Sequence, residues 1–228
     1  MKQLEIIDTA GQWTPIINGS YSKMTQANLG KRLLATYPKA GQVSFCNQKN
    51  QVRMMGGELS INGSIASGFY LFRKRKINSF TLLTDQKLIN VLYGVANDLS
   101  TVEFDGDTLV KNISGNKVIL QGISYALIKQ KPQSKILSPN LLQIIDELSR
   151  CSPAAGIIFY AGNAIWPVVF VKATTSYSWG TACGSASLAY FLVSGKSVIV
   201  QPSNQVIKIN RTKTAYAIST KATALKLY

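Results

Sequence analysis

Two stretches of this chain lead from small polar residues straight into an apolar run, and that pair constrains the fold more than any bulk property. Ser60-Ile61-Asn62-Gly63-Ser64 precedes the segment from Ile65 to Phe72, and Thr181-Ala182-Cys183-Gly184-Ser185-Ala186-Ser187 opens the segment from Ala186 to Val193. Each pattern predicts the mouth of a buried helix. Two similar mouths predict one site built between two halves. A helix N-terminus presents unpaired N–H groups and the positive end of the helix dipole, so it favours an anion, either a thiolate or a substrate carboxylate. Cys183 there reads as a base held in its reactive form. The alternative is a small hydrophobe of the core.

Composition removes most other chemistries. With 228 residues and 46% hydrophobic content, the chain can bury a real core as one large domain or as two lobes of about 110 residues each. No apolar run approaches the length of a membrane helix, and Met1 to Ile7 includes Lys2 and Glu5 with no signal-peptide core. A soluble protein of the cytoplasm, away from membranes, is the expectation. Cys46, Cys151 and Cys183 are odd in number and widely spaced, which predicts free thiols rather than disulfides or a zinc site. Cys46 and Cys151 are assigned to packing. The chain has no histidine, so histidine triads, Cys-His pairs and histidine metal sites are excluded. No carboxylate follows Glu147, which excludes a carboxylate pair drawn from both halves. No phosphate-cradling glycine motif follows a strand, so no nucleotide cofactor is expected.

A net charge of +15 resembles a nucleic-acid binder in bulk. Its basic residues are scattered, however, and the run Arg73-Lys74-Arg75-Lys76 directly follows the first apolar segment. Cations there complement a helix C-terminus. The positive field is better read as drawing an anionic small molecule or sustaining solubility than as gripping nucleic acid.

Along the chain, strands are expected at residues 4–7 and 14–18 around a turn-rich loop, Asp8 to Gln12. A helix capped by Ser22 and stopped before Pro38 follows, with Met24, Leu29, Leu33 and Leu34 at apolar spacing. Strands return at 43–46 and 51–55, and after the Ser60 helix residues 78–121 alternate as antiparallel sheet with turns at Asp105-Gly106 and Ser114-Gly115. Lys129 to Lys135 is the expected connection between lobes 1–128 and 129–228, the last strand returning to the first lobe. Ser138 and Pro139 start a helix to about Arg150, with Leu141, Leu142, Ile145 and Leu148 inward. Strands are expected at 156–160, 168–173, 197–201, 205–209 and 215–219.

Taken together these residues resemble the diaminopimelate epimerase fold family of cofactor-independent amino-acid racemases, nearest its histidine racemase branch. Cys183-Gly184-Ser185 matches the second cysteine motif of that family, and Glu58-Leu59-Ser60-Ile61-Asn62-Gly63 matches the first in its Asn-Gly, with Ser60 in place of cysteine and Ile61 in place of the next glycine. Gly11-Gln12, Gln42-Val43-Ser44-Phe45, Gly122-Ile123-Ser124 and Gln201-Pro202-Ser203 fall in the family's order, so the resemblance covers nearly the whole chain. It implies an α+β fold of two pseudo-symmetric lobes, each a curved, mostly antiparallel sheet wrapped around a central helix. It further implies racemisation or epimerisation at the α-carbon of an amino acid, yielding D-amino acids without pyridoxal phosphate, other cofactor or metal, and admits a homodimer. Cys183 and the Ser60 position would exchange the α-proton. Asn62, Gly63, Gly184 and Ser185 would hold the α-carboxylate, and Gln12, Gln42 and Ser124 would line the substrate site.

Ser60 is the main departure, because a serine with no histidine to activate it is a far weaker base than a thiolate. Three readings stay open: a natural serine in a one-base enzyme, an introduced Cys-to-Ser replacement, or a relative turned to elimination or to carboxylate binding without chemistry. Thr174-Thr175 stands where diaminopimelate epimerases carry Glu-Arg, which argues against diaminopimelate as substrate. Trp13, Tyr125, Tyr177 and Trp179 are near the motifs in sequence and hint at an apolar or aromatic substrate side chain, or ordinary packing. Glu58 reads as support for the first helix mouth without a part in proton transfer.

Overall fold

The computed structural model describes residues 4–84 and 89–226. The first three residues of the N-terminal segment, residues 85–88 of the 78–121 stretch and the last two residues lie outside that description. The first half runs β1 (Leu4–Thr9), β2 (Gln12–Asn18), α1 (Lys23–Thr36), β3 (Ser44–Cys46), β4 (Gln51–Met54), α2 (Ile61–Arg75), β5 (Ser79–Thr84), β6 (Ile89–Ala96) and β7 (Leu99–Asp105). A single helical turn, α3 (Gly106–Leu109), leads to β8 (Val110–Ser114), β9 (Lys117–Leu120) and β10 (Ile123–Ile128). Then come α4 (Pro139–Ser149), β11 (Ala154–Ala161), β12 (Ala164–Val171), β13 (Ser176–Trp179), α5 (Gly184–Ser194), β14 (Val198–Val200), β15 (Val206–Arg211), β16 (Ala215–Thr220) and β17 (Ala222–Leu225).

The strand pairings repeat. In the first half β2 lies parallel to β3 across α1, β3 turns back antiparallel into β4, and β4 lies parallel to β5 across α2. The second half does the same with β10, α4, β11, β12, α5 and β14. Each half then continues through two antiparallel strands, and those outer strands, β7 and β16, pair with each other. β17 completes the sheet antiparallel to β1. This is the expected α+β architecture, with two pseudo-symmetric halves of one continuous, mostly antiparallel sheet, each around a helix.

The central helices explain the small, apolar motifs. α2 touches β1 to β7 and β17, so every side from Ile61 to Gly68 is buried. Gly68 is required by contact, since a Cβ there would sit 2.1 Å from the Tyr93 ring. Serines inside such helices need partners: Ser64 and Ser187 donate to the carbonyls of Ser60 and Cys183, four residues back, and Ser67 bonds Ser44. α1 and α4 instead pack on the outside and carry one apolar face each.

Several local expectations change. The loop from Asp8 to Gln12 is a two-residue hairpin, because Ala10 and Gly11 both take left-handed backbone (φ 55° and 87°), the turn that suits strand twist. Asp105-Gly106 is the start of α3, with the Asp105 carboxylate capping Thr108 N–H, rather than a hairpin turn. Met24 and Leu142 face outward, being 73% and 39% exposed. Ser138 precedes α4 without a side-chain cap bond. Cys151 is exposed at the end of α4 instead of packed, whereas Cys46 is buried, and burial pushes its thiol up to about 12. At the C-terminal turn of α2, Arg73 and Lys74 pair with Glu5 at 2.7 and 2.9 Å, so the basic run is tied to β1. Among the described residues no helix is long and apolar enough to cross a membrane.

Candidate active site

The mouths of α2 and α5 meet head to head. Ser60 is the N-cap of α2 and Cys183 the N-cap of α5, both with extended backbone. Asn62 joins them: its Oδ1 accepts the Gly184 N–H at 2.8 Å, and its Nδ2 donates to Gln12 Oε1 at 2.7 Å and to the Ala182 carbonyl at 3.3 Å. Asn62 is buried, and leaving a buried donor such as the Gly184 N–H unmet costs about 1–3 kcal/mol. The contact is close enough to demand glycine. A Cβ on Gly184 would lie 2.6 Å from Ile61 Cγ2 and 2.9 Å from Asn62 Oδ1.

Each cap is held differently. The Ser60 hydroxyl accepts the Gly63 N–H at 2.9 Å and donates to Gln42 Oε1, while Gln42 Nε2 donates to Thr14 Oγ1 at 2.9 Å. Its proton and one lone pair are therefore engaged. Cys183 makes no cap bond through sulfur; instead Gln201 Oε1 accepts the Cys183 N–H at 2.9 Å, and Gln201 Nε2 donates to Ser187 Oγ at 2.9 Å. Cys183 Sγ lies 3.5 Å from the Tyr125 hydroxyl and 3.4 Å from Ser185 Oγ, which themselves are 2.8 Å apart. Burial, reinforced by the nearby sulfur, holds the Tyr125 phenol well above its usual range, so it faces the sulfur as a neutral phenol.

Between the mouths lies a cavity of about 60 Å³, lined from one half by Gln12, Gln42, Glu58, Ser60 and Asn62 and from the other by Tyr125, Val169, Val171, Cys183, Gly184 and Ser185. At roughly 10–15 Å³ per water-sized group, it holds about the α-carbon of an amino acid with its ammonium and carboxylate. Gly180 borders both this cavity and a larger cleft lined by Trp166 and Trp179.

Of the residues singled out in the sequence, Cys183, Ser60, Gln12, Gln42, Asn62, Gly184 and Ser185 come together around the cavity. Gly63 and Ser124 are not among its lining residues. The Gly63 N–H is spent on the Ser60 cap, and Ser124 bonds Ser152 at 2.6 Å within the core. The Gly184 N–H is likewise committed to Asn62. First-turn N–H groups have no partner inside the helix, so the donors left for an anion on residues that line the cavity are those of Asn62 on α2 and of Ser185 on α5. Tyr125 alone of the four aromatics lines the cavity. Trp179 stacks on Phe159 in the neighbouring cleft, and Tyr177 packs on Phe170 half-exposed. Gln201 and the cavity position of Glu58 were missed; Gln201-Pro202-Ser203 was visible in the sequence only as a stretch in family order.

Glu58 has a measurable signature. Burial raises its carboxyl above the usual range, partly offset by N–H bonds from its own backbone and from Gly56. The folded form thus holds the proton more tightly than the unfolded chain. The stability this contributes is full below the unfolded value of about 4.3 and is lost as pH rises through the folded one. Glu58→Gln cannot ionise, so its melting temperature should match the parent near pH 4 and exceed it at pH 8. A parent that melts higher at pH 8 would contradict this.

No family model matches the chain, and no curated protein does. Solved structures do. A predicted epimerase from Pseudomonas aeruginosa superposes with a TM-score of 0.68 at 10% identity, covering 99% of this chain and 98% of that one. A phenazine biosynthesis protein of the PhzF family from Enterococcus faecalis gives 0.62 at 10% identity over 98% and 96%. A probable proline racemase from Agrobacterium radiobacter, with bound carbonate, gives 0.58 at 12% identity over 100% and 93%. At these identities the likeness is one of fold, and the fold is the diaminopimelate-epimerase-like one.

Proposed function

We propose that this chain is a cofactor-independent amino-acid racemase or epimerase working at one cavity between its two halves, β1 to β7 and β10 to β16. One observation carries the reading: a cysteine at one helix mouth and a serine at its pseudo-symmetric counterpart open on the same cavity. Cys183 as thiolate takes the α-proton, leaving a carbanion with its charge spread into the carboxylate. The free N–H groups of both first turns stabilise that charge where it grows. A proton then returns to the opposite face from the Ser60 hydroxyl or a water beside it, and solvent replaces it. The motif resemblance to histidine racemases and the adjoining aromatic cleft both suit a substrate whose side chain leaves the cavity past Gly180.

A second reading is favoured by the Ser60 bonds. A hydroxyl that already donates to Gln42 and accepts from Gly63 is no base, and one competent base suits loss of a β-substituent after α-proton removal.

Single-enantiomer amino acids in deuterated water separate these readings. Racemisation shows as α-deuteration with appearance of the other enantiomer, elimination as loss of the β-group. Ser60→Cys should raise inversion about tenfold or more, since a positioned acid-base group contributes about 10² or above. It should also cost about 1 kcal/mol as the cap weakens. Absence of exchange and of elimination across the panel, in both proteins, would overturn the enzymatic reading.

A further inference from the structure

Glu58 lies two residues before the Ser60 cap, is 8% exposed and lines the cavity with Cys183. Its Oε2 accepts the Gly56 N–H at 3.0 Å, and Val171, another lining residue, lies beside the same glycine. Among the described residues no lysine or arginine pairs with it, and the chain has no histidine. Four other acids have ordinary surface duties. Glu5 pairs with Arg73 and Lys74, Asp146 with Arg150, and Asp8 and Asp105 accept backbone N–H groups of turns.

A buried carboxylate without a counter-cation costs folding free energy. Among the described residues no cation offsets that charge, so the empty cavity favours the protonated acid and a cation entering it favours the carboxylate. A zwitterionic amino acid brings two charges, and the first-turn N–H groups of α2 and α5 suit only the negative one. Among the described residues no other carboxylate lines the cavity. We propose that Glu58 accepts the α-ammonium group of the substrate, which makes this a site for amino acids with a free amine and excludes N-acylated amino acids and 2-hydroxy acids. The inference rests on the amino-acid reading above and adds to it a binding residue and a substrate class.

The test reads binding and exchange separately. L-alanine, L-serine, L-methionine, L-histidine and L-lysine, with N-acetyl-L-methionine and L-lactate, are titrated against the parent, Glu58→Gln and Glu58→Asp, with calorimetry for Kd and deuterium incorporation for turnover. Glutamine keeps the shape and can still accept the Gly56 N–H. Loss of a charge-assisted bond should raise Kd about 10- to 100-fold for every amino acid that binds, with partial recovery in Glu58→Asp. N-acetyl-L-methionine and L-lactate should not bind the parent. Binding in the parent should also release protons to buffer, and Glu58→Gln should not.

Unchanged Kd in Glu58→Gln overturns the assignment and leaves the racemase reading standing. So does a fall in kcat with Kd unchanged, which would make Glu58 a proton donor. Weakening confined to L-histidine and L-lysine overturns it in favour of a side-chain cation. Binding without exchange, weakened in Glu58→Gln, keeps the ammonium site and rejects racemisation, whereas no binding of any amino acid overturns both.

Discussion

Cys183→Ala is expected to lose α-carbon exchange by about 10³-fold or more while melting within about 1 kcal/mol of the parent. The rate effect follows from removing the one strong base in a cavity without histidine; nucleophile and base deletions at such centres cost rates of this order. The small stability effect is specific to this geometry. Cys183 caps α5 without using its sulfur, its N–H stays on Gln201, and its carbonyl still receives Ser187. With the sulfur gone, Tyr125 and Ser185 keep each other at 2.8 Å, so no buried hydroxyl is stranded. A loss of activity in Cys183→Ala therefore reports chemistry, not unfolding. Exchange or elimination surviving at parental rate would remove Cys183 from the mechanism, and a drop of several kcal/mol would show that the thiol belongs to the core.

Legibility in the sequence divides along physical lines. The two central helices were readable because a helix enclosed by a sheet must be small and apolar nearly all round, and few local patterns satisfy that. Their caps were readable because extended backbone and a small side chain mark the residue before the first turn. The destinations of individual N–H groups were not. Gly184 gives its proton to Asn62 across 122 positions, and no local pattern encodes a partner so distant. Ser124 shows the limit of alternation: β10 is buried from Ile123 to Leu127 on both faces, so period two cannot tell which face meets the cavity. Glu58 was read as an acid helping a helix N-terminus, a sound rule for exposed first turns that does not anticipate a carboxylate buried ahead of the cap. The pairings of β7 with β16 and β1 with β17 were likewise invisible, being contacts between strands far apart in the chain.

The two caps also show why the site is asymmetric despite its repeated topology. Both carry a serine four residues on that bonds the cap carbonyl, yet the glutamines beside them act oppositely. Gln42 receives the Ser60 side chain, whereas Gln201 receives the Cys183 backbone and leaves the sulfur to the hydroxyls of Tyr125 and Ser185. One cap thus spends its side chain on capping, whereas the other keeps its sulfur out of the cap and beside two hydroxyls at the cavity, which is the arrangement a one-sided base needs.

Gly184→Ala tests the joint between the mouths. Helix propensity alone favours alanine over glycine by about 1 kcal/mol, and Gly184 is the first residue of α5. Against that, the new Cβ would lie 2.6 Å from Ile61 Cγ2, 2.8 Å from Ile61 Cβ and 2.9 Å from Asn62 Oδ1. Ile61 Cβ is fixed to the α2 backbone and cannot swing aside, so the helix ends must part, and overpacking of this kind costs about 1–3 kcal/mol. Sterics should win, leaving the variant less stable by about 1–2 kcal/mol. Activity should suffer more than stability. Parting the mouths stretches the 2.8 Å bond from Gly184 N–H to Asn62 and moves Cys183 relative to the α2 donors, and a displacement of about 1 Å can cost about 10²-fold in rate. Thermal melts and deuterium exchange on the same samples provide the check. A variant more stable than its parent with exchange unchanged would mean that propensity governs this position and that the two helix mouths do not abut.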